Sequence, residues 1–180
     1  LFKNMLIQDK YLNNIKKTKQ NNDKIVFGYI GGNIIMKGLI YLLKALSKIN
    51  YDYELHMTIK KNDLKKFAQF HKFLNNRIHF LGNFANMDDF YKNIDVLVVP
   101  SVNDGYCMVV IEALSRSIPV ILSENVGASE IITDEFGYKF SSSNQDELDD
   151  IISNKINRDI ITDFNIKIYN NFFKIKKIFL

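Results

Sequence analysis

Two carboxylates bracket an apolar stretch near the middle of the chain. Asp104 and Glu112 lie eight positions apart within PSVNDGYCMVVIEALSRSIPV, residues 100–120, and most residues between them are apolar. Burying an unpaired carboxylate costs several kcal/mol, so either both acids face solvent or polar groups lie against them. Carboxylates accept strong hydrogen bonds from sugar hydroxyls, which makes a carbohydrate a suitable partner. The simpler alternative is that Asp104 caps a helix and Glu112 is a surface charge.

The backbone between the two acids is suited to an anion. A helix is predicted to begin near Tyr106 or Cys107, directly after a strand that ends at Pro100. The N–H groups at the start of a helix have no partner within it and bind phosphate or carboxylate groups. The predicted donors are the N–H groups of Gly105, Tyr106, Cys107 and Met108.

A second loop, GYIGGNIIMKG at residues 28–38, brings a positive charge. Gly31 and Gly32 follow a predicted strand, where glycine lets the backbone approach a ligand closely. Lys37 is predicted at the start of a helix, where a cation is unfavourable unless an anion lies beside it. An exposed lysine in a turn is the alternative. A ligand with phosphates in its middle and a sugar at each end would place the phosphates beside Lys37 and the helix start, and the sugars beside the two acids. A nucleotide-diphospho-sugar has that chemistry.

The predicted elements place both loops at one edge of a single sheet. Helices are predicted to alternate with strands, which is typical of a parallel sheet in a doubly wound, Rossmann-like α/β domain. Ligands of such sheets bind beyond the carboxyl ends of the strands. Strands are predicted at residues 24–30, 53–59, 77–82, 95–101, 119–123 and 138–140, and helices at 36–49, 62–74, 87–93, 107–117, 144–156 and 158–178.

Composition restricts the class of protein and its partners. The chain has 180 residues, a net charge of +4, one cysteine and no apolar run of spanning length. The basic residues are scattered without interleaved aromatic residues, so nucleic acid is not expected as a partner. A lone cysteine fits a reducing compartment, so we expect a cytoplasmic location. Peripheral contact with a membrane surface is an open alternative. The spacing of His56, His71 and His79 matches no ligand pattern, so no metal site is expected. The nucleotide-diphospho-sugar is expected as a donor substrate, and no cofactor is expected.

The motifs resemble the C-terminal, donor-binding domain of a GT-B fold retaining glycosyltransferase of family 4, the glycosyl transferases group 1. The matching segments are GGNIIMKG, VVPSVNDGYCMVVIEALSRSIPVI and VGASEIITDEFGYKF, in the family's order and spacing. The resemblance implies a domain at residues 24–157, a C-terminal helix at 158–180 and a linker or residual N-terminal segment at 1–23. It also implies a second, N-terminal GT-B domain that supplies the acceptor and usually a catalytic histidine.

Residue roles follow from the same resemblance. Glu112 takes the position that holds the nucleotide ribose in the family. Asp104 takes the position that contacts the donor sugar, and Lys37 takes the position of the lysine that binds the diphosphate. The backbone from Gly105 to Met108 would cradle the sugar and the diphosphate. Glu130 matches a glutamate for which a structural role and a ligand contact are both open. The acceptor would be a hydroxyl of a glycan, a lipid or another molecule.

The chain departs from the family pattern at four positions. Asp replaces Glu at 104, Gly32 stands where an arginine is common, Cys107 where glycine is frequent, and Ser117 where a helix usually ends in glycine. The absent arginine weakens phosphate binding most. Two alternatives therefore stay open: a non-catalytic or degenerate nucleotide-sugar-binding domain, and a nucleotide-sugar epimerase of related fold.

Overall fold

The computed structural model of the chain describes residues 24–65, 68–82 and 87–179. The predicted N-terminal linker, residues 1–23, lies outside the described residues.

A six-stranded parallel sheet forms the centre of the fold. Its order is β3-β2-β1-β4-β5-β6, so the direction of strand addition reverses between β1 and β4. Open α/β sheets bind ligands at such a switch point. The predicted doubly wound α/β fold is confirmed. The strands are β1 (Ile25–Tyr29), β2 (Tyr53–Met57), β3 (Ile78–Phe80), β4 (Val96–Val99), β5 (Val120–Ser123) and β6 (Gly137–Phe140).

The first four helices lie between strands along the chain, the last two follow the sixth strand, and helices pack on both faces of the sheet. They are α1 (Leu39–Leu46), α2 (Lys61–Lys65), α3 (Met87–Lys92), α4 (Met108–Leu114), α5 (Gln145–Asp150) and α6 (Arg158–Phe179). Two 3-10 helices cover Ala68–Phe73 and Gly127–Ile131, and α5 continues as a π-helical segment at Ile151–Lys155. No helix of the described residues is both long enough and apolar enough to cross a bilayer.

The sheet separates two apolar clusters. Leu42 of α1 packs with Phe27 and Val98 in one cluster, while Val110 of α4 packs with Leu97 in the other. Successive residues of β4 alternate between the two clusters, and all four are buried. Burial on both faces explains why this strand is an unbroken apolar run in the sequence.

The structure corrects two predicted helices. The helix expected over residues 62–74 is instead the short α2, which ends at Lys65, and a separate 3-10 helix at Ala68–Phe73. α1 begins at Leu39 rather than residue 36, because Gly38 adopts a left-handed conformation with φ of 64°. Lys37 therefore lies in a turn before the helix, and the prediction that it starts the helix is wrong.

Candidate functional site

An ion pair joins the two loops at the switch point. Lys37 follows β1 and Asp104 follows β4, and the Nζ of Lys37 contacts the Oδ2 of Asp104 although 67 positions separate them. The Ser101 hydroxyl donates a hydrogen bond of 3.3 Å to the same oxygen. The side chains of Lys37 and Asp104 are only 29% and 16% exposed. Within this chain, Asp104 is thus an anionic partner of Lys37.

Two glycines permit close contacts at this site, Gly31 within its own loop and Gly38 between the two loops. A Cβ at Gly31 would lie 2.9 Å from the Cγ of Lys37, so the lysine stem lies across this glycine. A Cβ at Gly38 would lie 1.8 Å from the carbonyl oxygen of Pro100. The group that approaches Gly31 closely in this chain is the side chain of Lys37, and the approach of a ligand stays a prediction. Gly32 differs, because a Cβ there would meet nothing within 4 Å.

The hydrogen bonds around Asp104 keep it ionised. Partial burial alone would raise the pKa of Asp104, but hydrogen bonds from Lys37, Cys107 and Ser101 together hold it below its ordinary value. Burial raises the pKa of the Cys107 thiol to about 12, and the hydrogen bond to Asp104 adds to the shift. The thiol is therefore protonated near neutral pH, which excludes Cys107 as a thiolate nucleophile.

The start of α4 has an unusual backbone. The helix begins at Met108, one or two residues later than predicted, and Cys107 before it is left-handed with φ of 55°. This conformation favours glycine, which explains why glycine is frequent at this position in the family that the sequence resembles. Gly105, Tyr106 and Cys107 consequently lie in the loop, and Met108 is the first helical residue. A Cβ at Gly105 would meet nothing within 4 Å, so this backbone is accessible to a ligand.

Glu112 is held by a tyrosine, Tyr91, that no motif in the sequence identifies. It lies in the second turn of α4, half-buried, and its Oε2 accepts a hydrogen bond of 2.8 Å from the hydroxyl of Tyr91 in α3. Burial, and then this hydrogen bond, raise the pKa of Tyr91 above its ordinary value. The guanidinium of Arg116 lies 4.8 Å from the centre of the Tyr91 ring. Glu112 is therefore an oriented carboxylate rather than a mobile surface charge.

The loop after β5 supports the Asp104 loop from the other side. The N–H of Asp104 donates to the carbonyl of Asn125 at 3.2 Å, and the N–H of Gly127 donates to the carbonyl of Gly105 at 2.8 Å. A Cβ at Gly127 would lie 2.9 Å from that same carbonyl oxygen, so the contact needs glycine. The segment VGASE could have identified Gly127 from the sequence. Glu130 is exposed on the 3-10 helix that follows.

Exposed apolar side chains occur in the same two segments of the chain as the ion pair. The large hydrophobic residues that stand exposed among the described residues all belong to the two loops or to the first turn of α4: Ile35, Met36, Tyr106 and Met108, with Met108 58% exposed. Exposed apolar groups concentrated in one region mark a surface that binds a ligand or another protein surface.

A group of metal-ligand types occurs elsewhere, on a face of the sheet. Glu54, His56 and His79 offer ligand atoms that all lie within 4.8 Å of one another. The histidine spacing had argued against a metal site, and the structure brings two of the three histidines together with a glutamate. His71 is not part of the group.

The family match and the fold together identify the C-terminal, Rossmann-like half of a GT-B glycosyltransferase. Residues 11–166 match the family described as Glycosyl transferases group 1, and the chain belongs to that family. It is 27% identical over 137 residues to Protein CapJ of Staphylococcus aureus, covering 69% of this chain and 35% of CapJ. The chain spans less than half the length of the curated relatives it matches.

Solved structures show the same fold at low identity. WaaG, a glycosyltransferase involved in lipopolysaccharide biosynthesis, superposes with a TM-score of 0.74 at 14% identity, covering 89% of this chain and 46% of WaaG. Anabaena Alr3699/HepE in complex with UDP-glucose superposes with a TM-score of 0.67 at 20% identity, covering 93% of this chain and 50% of HepE.

Proposed function

We propose that this chain is the donor-binding domain of a retaining glycosyltransferase. It would hold a nucleotide-diphospho-sugar while the sugar passes to an acceptor hydroxyl with retention of configuration. The observation that carries the proposal is the meeting of Lys37 and Asp104 at the switch point of the sheet. The family membership and the UDP-glucose complex of HepE, a protein of the same fold, support it.

Each side chain of the site has a role in this proposal. Lys37 and the backbone from Gly105 to Met108 bind the diphosphate, whose charge grows as the sugar leaves. Asp104 accepts hydrogen bonds from the sugar hydroxyls, and Glu112 accepts them from the ribose. Glu130 keeps either a structural role or a ligand contact.

The ion pair between Lys37 and Asp104 has to rearrange when a diphosphate binds. Lys37 is already neutralised by Asp104, so a diphosphate competes with Asp104 for the ammonium group or shares it. When the diphosphate takes part of that charge, the carboxylate of Asp104 becomes available to the sugar. Asp104 is one methylene shorter than the glutamate of the family, and it contacts both Lys37 and Ser101 directly.

The remaining parts of the enzyme are proposed from the family. An N-terminal GT-B domain would present the acceptor and the catalytic histidine across the cleft, facing the exposed side chains of Tyr106 and Met108. The donor domain would comprise residues 24–157, with the helix 158–180 crossing towards the other domain. We propose a cytoplasmic location, with the acceptor held at a membrane surface if it is a lipid-linked glycan.

Calorimetric titration of the chain with UDP, GDP, ADP and their sugars tests the proposal. We expect at least one nucleotide to bind, and Glu112→Gln to weaken it while thermal stability stays nearly unchanged. The matched control is Glu135→Gln, since Glu135 is an exposed glutamate in the loop before β6. Absence of heat with every nucleotide, on protein shown to be folded, would contradict the proposal.

One observation favours a degenerate binding domain as the second candidate. Gly32 offers no cation at the position where the family often has arginine. No other atom of the described residues replaces that cation nearby, since a Cβ built at Gly32 would meet nothing within 4 Å. A loss of one charge-assisted hydrogen bond costs about 1.5–3 kcal/mol of binding. A degenerate domain would still bind nucleotide, so sugar transfer by the protein that contains both domains separates the two candidates.

A further inference from the structure

A glutamate and two histidines share one face of the sheet away from the proposed donor site. In the parallel register, Glu54 pairs with Val26, His56 with Gly28, and His56 also with His79. Paired residues of neighbouring strands project to the same face, and alternate residues of one strand do so as well. The register therefore places Glu54, His56 and His79 side by side across β2 and β3.

The distances within the group match those of a metal site. The Nε2 of His56 lies 3.2 Å from the Oε2 of Glu54, and the Nε2 of His79 lies 3.6 Å from its Oε1. Bonds of about 2.0–2.1 Å to a tetrahedral zinc ion separate its ligand atoms by about 3.3 Å. The ligand atoms of the three side chains all lie within 4.8 Å of one another, close enough for one ion to be shared between them once the side chains adjust.

The chemistry of the ligands selects the type of metal. Two imidazoles and one carboxylate suit Zn²⁺ and similar transition metals, whereas Mg²⁺ and Ca²⁺ prefer oxygen ligands alone. The Nε2 of His79 is buried and makes no hydrogen bond within the described residues. Its side chain as a whole is 39% exposed, which leaves a path from solvent to the group.

A lysine currently provides the positive charge at this place. The Nζ of Lys24 lies 2.8 Å from the Oε1 of Glu54, and both side chains are about a quarter exposed, at 29% and 25%. An ammonium group and a metal ion would compete for the same carboxylate. Removal of the lysine charge should therefore strengthen metal binding.

We propose that Glu54, His56 and His79 form a binding site for one zinc-type divalent ion that joins the edge strand β3 to β2. β3 has three residues and pairs with β2 alone, so an ion shared between the strands would stabilise it. A fourth ligand would come from water. The site is separate from the proposed donor site, and nucleotide binding is not needed for it.

Calorimetric titration of the untagged chain with ZnCl₂, CoCl₂ and MgCl₂ tests this inference. We expect one Zn²⁺ per chain, a visible absorption spectrum of tetrahedral Co²⁺, no response to Mg²⁺, and a higher unfolding midpoint with Zn²⁺. His79→Gln and Glu54→Gln should each weaken Zn²⁺ binding by tenfold or more, since even the partners of ligands contribute about 10–100-fold. His71→Gln is the matched control and should bind Zn²⁺ as the unchanged chain does.

Lys24→Gln provides a result that misfolding cannot imitate. It should tighten Zn²⁺ binding severalfold, because the competing ammonium is removed while the ligands stay. Zn²⁺ binding that is equal in the unchanged chain, His79→Gln and Glu54→Gln would overturn the inference. Absence of any Zn²⁺ binding by both the unchanged chain and Lys24→Gln, with far-ultraviolet circular dichroism of a folded protein, would overturn it too.

Discussion

Replacement of Gly32 by arginine should strengthen diphosphate binding. Gly32 is exposed, its φ is not in the left-handed range, and a Cβ there would meet nothing within 4 Å. A longer side chain can therefore be accommodated without moving the backbone. It would stand five positions before Lys37, where the family that the sequence resembles commonly has its second cation.

The size of the gain follows from one added charge-assisted hydrogen bond. Such a bond contributes about 1.5–3 kcal/mol, and every 1.4 kcal/mol is a factor of ten, so the range is about 10–150-fold. The position is exposed, and salt screens exposed charges over about 8 Å at physiological ionic strength. We therefore expect about tenfold tighter binding of a nucleoside diphosphate in Gly32→Arg, and a larger gain at low salt.

The assay compares Gly32→Arg with Gly32→Gln in calorimetric titrations of nucleoside diphosphates at two salt concentrations. Gly32→Gln has a similar reach and the same backbone change but no charge, so it isolates the electrostatic part. Thermal unfolding of both variants should match that of the unchanged chain. If Gly32→Arg binds no more tightly than Gly32→Gln at low salt, the diphosphate does not lie near this loop and the reasoning is refuted.

Four other predictions follow from the same geometry. Tyr91→Phe should weaken nucleotide binding in calorimetry by less than Glu112→Gln does, because it frees the Glu112 carboxylate but keeps its charge; an equal or larger loss would contradict this. Ser117→Gly should raise the free energy of unfolding in urea by about 0.5–1 kcal/mol. Ser117 is left-handed with φ of 59°, and the strain of about 1–2 kcal/mol for a residue with a side chain exceeds the entropic cost of glycine. Cys107 should react slowly with iodoacetamide at pH 8 and faster in Asp104→Asn, because its pKa of about 12 is raised by burial and by Asp104; equal rates would count against that hydrogen bond. This chain by itself should transfer no sugar from labelled donors, because holding the acceptor against the donor supplies roughly 7–11 kcal/mol; repeated turnover without an added N-terminal domain would disprove it.

The local pattern of the sequence was enough to predict the fold. β4 is an unbroken apolar run and β5 is apolar up to Ser123, because both faces of each strand are covered. The alternation of strands with helices predicts a parallel sheet. From that architecture alone, the loops at 28–38 and 100–108 had to lie beyond the carboxyl ends of their strands. The sequence could therefore place Lys37 and Asp104 in one region of the protein.

The tertiary structure alone decided which side chains meet. Lys37 pairs with Asp104 because the left-handed turn at Gly38 releases the lysine from the helix, and no periodicity in the sequence reports that turn. Tyr91 reaches Glu112 only because α3 packs beside α4.

The group of Glu54, His56 and His79 depends in the same way on strand register. A shift of one residue between β2 and β3 would turn His79 to the other face, since side chains alternate along a strand. Register is set by the packing of whole strands against the core. For that reason the sequence supplied the three ligand types, and only the folded sheet brought them within 4.8 Å of one another.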